Sequence, residues 1–320
     1  MPDIISVRDL ARTFKTKTGP VDAVKGVTFE VREGEVLGLL GPNGAGKTTT
    51  LRMISTLIEP TAGEATVAGA DLRNDPKAVR SRIGYVAQGG MTNDDELVID
   101  ELVLQARLFR VGKAAAIERA EALMQALDLD GLGTRKCKEL SGGQRRRVDI
   151  ALGLVHGAKL IYLDEPTTGL DPQSRANLWD HIRRLQAEGT TIVLTTHYLD
   201  EADVLCDRIL VMDHGEIVAQ GTPDELKRRI SGDVVSLEID GTRADLALEV
   251  ARSVIEVRAD VRADGVLHLT VEHGDAAVVP LLRALDEQGI VPGSLTVKRP
   301  SLDDVFLTVT GRSLRDGGQA

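Results

Sequence analysis

Short apolar runs, bounded by glycine, proline and charged residues, set the pattern of this chain. Glu35–Leu40 (EVLGLL) and Thr190–Thr196 (TTIVLTT) are apolar enough for buried strands, and Arg82–Ala87 (RIGYVA) reads as a further short one. Lys159–Asp164 (KLIYLD) closes on carboxylates, which suits a central parallel strand whose C-terminal end faces a ligand crevice. Ile4–Leu10 and Gly26–Val31 (GVTFEV) are β segments, the second alternating apolar with polar, with turn material at Lys15–Pro20 (KTKTGP) between them. Lys47–Leu57 can form a helix. From Leu97 to Leu129 the spacing is helical: Leu102, Ala106, Leu108 and Phe109 share one segment, and Ile117, Leu123, Met124 and Leu127 the next. That predicts a helical subdomain at about 90–157, entered through a hinge at Gly89, Gly90 and Thr92–Glu96 (TNDDE). Gly131 and Gly133 end this stretch, and another helix starts at Ser141. Pro166–Asp171 is a turn, and Pro172–Ala187 a helix that begins with proline.

The region after residue 230 has a different rhythm. A strand (Val234–Ile239), a helix (Ala244–Ser253), strands near Glu256–Val261 and Val266–Val271, a helix (Ala276–Glu287) and a strand (Ser294–Arg299) follow one another. The order β-α-β-β-α-β predicts a small ferredoxin-like sandwich. Ser301 and Asp304 resemble a capping box for a last helix, whose Leu302, Val305, Phe306 and Val309 form an apolar face that must be buried on its own domain or across a dimer. The expected division is thus 1–230, an accessory α+β domain at 231–312, and a disordered tail at 313–320.

With 320 residues and 42% hydrophobic content, the chain can build such cores without staples. Its formal net charge is −10, from 49 acidic and 39 basic residues, which argues against a nucleic-acid partner. Cys137 and Cys206 stand far apart, outside any disulfide or zinc pattern, which fits a reducing cytoplasm. The first residues carry charges where a signal peptide needs an apolar core, and no stretch approaches the ~20 apolar residues of a membrane span.

Chemistry enters at Gly41–Thr49 (GPNGAGKTT), a full match to G-x-x-x-x-G-K-[ST] placed between a strand and a helix. Gly41, Gly44 and Gly46 allow positive φ and close backbone approach, with Pro42, Asn43 and Ala45 between them completing a loop around phosphates. The helix end supplies N–H groups and a positive dipole. Lys47 would reach the β- and γ-phosphates, Thr48 would offer its hydroxyl to Mg²⁺, and Thr49 continues the helix tip. Ser141, Gly142 and Gly143, followed by Gln144, form either an ordinary helix cap or an anion-binding nest. Asp164 and Glu165 leave the end of one strand together and divide the work, Asp164 toward Mg²⁺ and Glu165 toward an attacking water. His197 stands at the end of another strand, placed for a polar contact with the transferred phosphate. Phe14, beside a polar turn, is either a hydrophobic plug or a platform for a purine base.

In the order GPNGAGKTT, Gln88, LSGGQ, LIYLDEP, GLD and His197, the sequence closely resembles the nucleotide-binding subunits of ABC transporters, over Ile4 to about Leu226. The resemblance implies an α/β fold of the P-loop NTPase (ABC ATPase) type that binds ATP and Mg²⁺. It implies that Phe14 stacks on adenine, that Gln88 links the Mg²⁺ and water region to a permease, and that Glu165 is the general base. It further implies that His197 contacts the γ-phosphate and that Asp171 sits in a loop crossing to a second subunit. Two copies would sandwich ATP, Ser141–Gln144 of one closing on nucleotide held by the other. SGGQRRRVDIALGLV, DEADVLCDRILVMDHGEIVAQGTPDELK and PSLDDVFLTVTG look like the daunorubicin-resistance type, which powers export through a separate integral-membrane permease from the inner face of the membrane. The sequence departs from the family at LVIDELV, where a threonine and an arginine usually precede the acid matched by Glu101, and at Phe14, where tyrosine is commoner. An import ATPase with a regulatory C-terminal domain and a soluble, non-transport ABC ATPase are the alternatives.

Overall fold

The computed structural model describes residues 3–17, 19–230, 232–239, 243–263, 266–298 and 301–310. Backbone contacts divide the chain into two compact units that meet between Gln220 and Gly221. The expected tail at 313–320 lies outside the described residues.

The first unit is built on a six-stranded sheet in the order β10-β9-β3-β8-β7-β6. Its strands are β3 (Val36–Leu40), β6 (Ile83–Val86), β7 (Leu160–Asp164), β8 (Thr191–Thr196), β9 (Arg208–Asp213) and β10 (Glu216–Gly221). β3 pairs in parallel with β8 and β9, and β7 in parallel with β6 and β8. Every residue of β3, β7 and β8 is buried, which is why these segments read as unbroken apolar runs. A second sheet, β2-β1-β4-β5, consists of β1 (Asp3–Thr16), β2 (Gly19–Arg32), β4 (Ala62–Val67) and β5 (Ala70–Asp71). β1 and β2 run far beyond the segments expected at Ile4–Leu10 and Gly26–Val31. Register shifts beside Asp9, whose φ is +48°, break the alternation that would have marked their length.

The helices expected after Gly46, between Leu97 and Leu129, from Ser141 and from Pro172 all form, and two more, at Pro76–Arg82 and Leu199–Leu205, join them without having been expected. α1 covers Lys47–Ile54 and stops short of Leu57, because Thr56 takes a left-handed φ of +64°. α2 spans Pro76–Arg82, and α3 (Val98–Leu108), α4 (Lys113–Ala126) and α5 (Gly142–Leu154) pack on one another as the helical layer. α6 occupies Pro172–Ala187, as the proline start predicts, and α7 covers Leu199–Leu205. α5 lies directly on β6: a Cβ placed on Gly84 would stand 2.2 Å from the Gly153 carbonyl oxygen, where only rigid backbone could give way. Gly84→Ala is therefore expected to cost about 1–3 kcal/mol, read as a lower midpoint in denaturant; an unchanged midpoint would mean that α5 does not rest on β6.

In the second unit, α8 (Pro223–Ile230) precedes β11 (Asp233–Glu238), α9 (Ala244–Val254), β12 (Val257–Ala263), β13 (Val266–Val271), α10 (Gly274–Glu287), β14 (Leu295–Lys298) and α11 (Leu302–Thr310). The sheet is antiparallel in the order β12-β13-β11-β14, which is the ferredoxin-like arrangement. Val235, Leu237, Leu267 and Leu269 from the strands pack with Leu248, Leu281 and Leu285 from α9 and α10. Ser301 and Asp304 form the anticipated capping box: Asp304 Oδ2 accepts from Ser301 N at 2.8 Å, and Asp304 N donates to Ser301 Oγ. Leu302, Val305 and Phe306 are buried, and α11 packs on α8. The apolar face thus finds its cover within its own unit; the side chain of Val309 lies outside the described set. Because α8 supplies that cover, the unit begins at Gly221 rather than at the expected residue 231.

Candidate functional site

The C-terminal ends of β3, β7 and β8 open onto a cleft of about 870 Å³, lined by Asn43–Thr49, Gln88, Glu165, Thr168 and His197, with Val21–Ala23 and Lys25 of β2 along one side. Gly46, the residue before α1, has φ +99°, and a Cβ there would lie 2.6 Å from the Ala23 carbonyl oxygen. Glycine is required on both counts, and it offers no side chain to cap the N–H groups of the first turn. Gly44 also adopts a positive φ, +81°. Gly41 does not; its role is close approach, since a Cβ would meet the Met212 carbonyl oxygen at 2.2 Å.

Lys47 is 4% exposed and donates from Nζ to the carbonyls of Gly41 at 2.7 Å and Pro42 at 2.9 Å. Burial pulls its ammonium pKa down, against the opposing pull of Glu165 and Asp164. Thr48 Oγ1 donates to Asp164 Oδ1 at 2.8 Å, and Thr195 Oγ1 to the same oxygen at 2.7 Å. Tyr85 OH reaches Asp164 Oδ2 at 3.3 Å. A carboxylate and a threonine hydroxyl side by side are oxygen donors of the kind a hard divalent cation takes.

Glu165 follows directly but does not continue the strand. Its φ is +45°, a strained value for a non-glycine residue, and its amide donates to Thr195 Oγ1 at 3.0 Å. This backbone turn, rather than strand alternation, separates the two acids. Glu165 Oε2 accepts from Gln88 Nε2 at 2.9 Å and from Thr168 Oγ1 at 3.1 Å. Oε1 faces His197 Nδ1 at 3.4 Å, longer than a good hydrogen bond, and that buried nitrogen has no better partner among the described residues. Interaction with His197 leads the influences that hold the Glu165 carboxyl below the usual glutamate range; Lys47 and Thr168 add to it, and burial opposes it. The residue lines the cleft with Gln88, Thr168 and His197 around its carboxylate.

Other expected residues lie elsewhere. Phe14 is in β1, not in the lining of the cleft; the Arg12 guanidinium lies 4.6 Å over its ring, while Val21, its register partner, lines the wall. Ser141–Gln144 form the tip of α5, also away from this cleft. Ser141 Oγ accepts from Gln144 N at 3.3 Å, and Gln144 Oε1 accepts from Ser141 N at 2.9 Å, so both side chains cap their own helix. Gly143 is held close to α6, a Cβ there lying 3.1 Å from Ser174. Asp171 is exposed and caps α6, its Oδ1 accepting from Ser174 N at 2.9 Å and its Oδ2 from Ser174 Oγ at 2.6 Å. Thr168 was not anticipated; its place three residues after Glu165 in a tight turn was the available signal.

The sequence matches the family model described as ABC transporter over residues 24–168, and that of the C-terminal domain of DrrA1-3-like ATP-binding proteins over 221–310. It is 41% identical to the daunorubicin resistance ATP-binding protein DrrA2 of Streptomyces coeruleorubidus, covering 94% of each chain. It is 38% identical to the Nod factor export ATP-binding protein I of Ralstonia nicotianae, covering 98% of this chain and 95% of that one. Among solved structures, the dimeric bacterial ABC transporter cassette MJ0796 superposes with a TM-score of 0.62 at 27% identity, over 68% of this chain and 98% of that one. The two family models span the phosphate loop, the carboxylate-ended strand and the C-terminal unit, the relatives match over nearly the whole length, and the chain belongs to the ATP-binding proteins of ABC transporters, in the daunorubicin-resistance family, whose fold binds and hydrolyses ATP.

Proposed function

We propose that this chain is the motor subunit of an export system that expels a hydrophobic or amphipathic compound through a separate membrane permease, and that it works as a pair of copies with ATP between them. The observation that carries the reading is Glu165, which lines the phosphate-loop cleft between Gln88 and His197. Drug resistance and Nod factor export in the names of the relatives favour an amphipathic cargo. No described helix is long and apolar enough to cross a membrane, and in this reading the conduit is a partner protein. Leu104, Leu108 and Phe109 of the helical layer, exposed by 56%, 70% and 37%, offer that partner an apolar contact on the cytoplasmic side.

In this reading the loop Gly41–Thr49 wraps the polyphosphate in backbone N–H groups, and Lys47 turns its ammonium from loop carbonyls toward the β- and γ-oxygens. Thr48, Asp164 and Gln88 would hold Mg²⁺, which when bound neutralises charge developing on the phosphoryl oxygens. Gln88 and Glu165 orient the attacking water, and Glu165 takes its proton at a carboxylate oxygen. His197 donates toward the γ-phosphate. Phe14 would stack on adenine after Arg12 moves aside. Ser141–Gln144 and Asp171, which lie outside this chain's own cleft, serve the nucleotide held by the second copy, and closing the pair excludes water from both sites.

The depressed Glu165 pKa fixes the sign of the pH response. Its acid limb in kcat/KM should fall below the ordinary glutamate value of 4.5, because the base stays ionised until then. Stability from the same interactions is present above the unfolded pKa and lost as pH falls through the folded one. A carboxylate limb near pH 6 that vanishes in Glu165→Gln would contradict this environment. The function itself is tested by purification from membranes: a polytopic protein should co-purify and raise ATP turnover when an amphipathic substrate is present. Recovery of the chain with no membrane protein, at unchanged turnover, would remove the export reading.

A further inference from the structure

Arg146 and Asp149 lie one turn apart on α5, the helix whose tip is Ser141–Gln144, and both are almost completely buried, at 7% and 2% exposure. The Arg146 guanidinium donates in three directions: from Nε to the Pro166 carbonyl at 2.8 Å, from Nη2 to the Asp164 carbonyl at 3.0 Å, and from Nη1 to the Ala87 carbonyl at 2.7 Å. The first two acceptors flank Glu165 on either side, and the third immediately precedes Gln88. Asp149 grips the far side of the Gln88 segment. Its Oδ1 accepts from the amides of Met91 at 2.7 Å and Thr92 at 3.2 Å, and its Oδ2 stands 3.7 Å from Arg146 Nη1. Gly90 fits this grip: its φ is +81°, and a Cβ would lie 3.0 Å from Asp149 Oδ2.

We propose that Arg146 and Asp149 form a clasp that holds Gln88 and Glu165 in their hydrogen-bonded pairing, which makes Arg146 a positioning residue for hydrolysis. Stability alone is a weak reason to bury such a pair, since well-packed apolar side chains generally serve as well. The specific gain is at Glu165. A strained backbone persists only where its surroundings over-determine it, and Arg146 fixes the peptide on both sides of the φ of +45°. A planar fork, with donors spread over three nitrogens, spans carbonyls on two separate segments in a fixed geometry that a single ammonium nitrogen does not reproduce. The clasp also ties the Ser141–Gln144 tip of α5, through one rigid helix, to the hydrolytic pair of its own chain.

This inference rests on Glu165 acting as the base, and one experiment separates the two. Arg146→Lys keeps the charge beside Asp149 and loses the fork. In the full-length ATPase, kcat should fall roughly 10–100-fold, the cost of a misplaced catalytic group, while ATP affinity and KM stay within about threefold. In single-turnover hydrolysis, adding Arg146→Lys to Glu165→Gln should then slow the reaction by less than about threefold, because the residue acts through the group already lost. A structural role would instead give additive losses, or a loss of ATP affinity matching that in kcat. Asp149→Asn keeps the acceptor for Met91 and Thr92 but not the counter-charge; should Arg146→Lys not fold, Asp149→Asn must show the same loss of kcat and the same non-additivity. Wild-type kcat in Arg146→Lys, or additive losses in either pair of variants, overturns the clasp. Wild-type turnover in Glu165→Gln alone would instead overturn the assignment of the base.

Discussion

Glu165→Gln should lower ATP hydrolysis by about 10²–10⁴-fold, the usual contribution of a positioned general base, while ATP still binds. The amide is isosteric with the carboxylate, so it can still meet Gln88, Thr168 and the Glu165 turn, whose backbone is held by Thr195. What disappears is the carboxylate that, in the proposed mechanism, accepts a proton from water. With ATP bound and uncleaved, two copies should stay closed on it, and gel filtration should show a nucleotide-dependent rise to twice the monomer mass. Phosphate release in single turnover checks the first half and the shift in mass the second. Near-normal hydrolysis would show that another group takes the proton.

Lys47→Ala should act at binding. A hydrogen bond to a charged group contributes about 1.5–3 kcal/mol, so ATP affinity should weaken roughly 10–100-fold, and more at low salt than at high. Stability of the nucleotide-free protein should move much less. Truncation loses bonds to Gly41 and Pro42 but also relieves a buried charge whose pKa is depressed by desolvation. That penalty operates below the folded pKa of Lys47 and fades as pH rises through it toward 10.5, so the wild-type chain should gain stability over that alkaline window and the variant should not. The ATP-induced rise in Tm should shrink accordingly. Unchanged affinity by isothermal titration would remove the phosphate role given to Lys47.

Local chemistry made much of this molecule legible in the sequence. β3, β7 and β8 are buried on both faces and can be built only from apolar residues, so the sheet that carries the cleft stands out as a pattern. Ser141, Asp171 and Ser301 begin helices through bonds to residues three positions on, and such near-neighbour rules need no tertiary context. The β-α-β-β-α-β order likewise limits the C-terminal sheet to few topologies.

Tertiary structure alone decided what depends on residues far apart in the chain. The lengths of β1 and β2 escape the pattern because bulges interrupt alternation. α8 belongs with the C-terminal unit because it covers the apolar face of α11, a contact across the whole of that unit. The sequence by itself singled out the candidates for the chemistry: a lysine and a threonine behind a glycine loop, and paired acids at a strand end. Only the folded chain bent Glu165 into a left-handed turn, set Arg146 across its two flanking carbonyls and left Phe14 beneath Arg12. The physical reason is one of range. Composition and spacing govern interactions within a turn or a strand, whereas a buried guanidinium chooses its acceptors from whatever backbone the packed sheet and helices bring within reach.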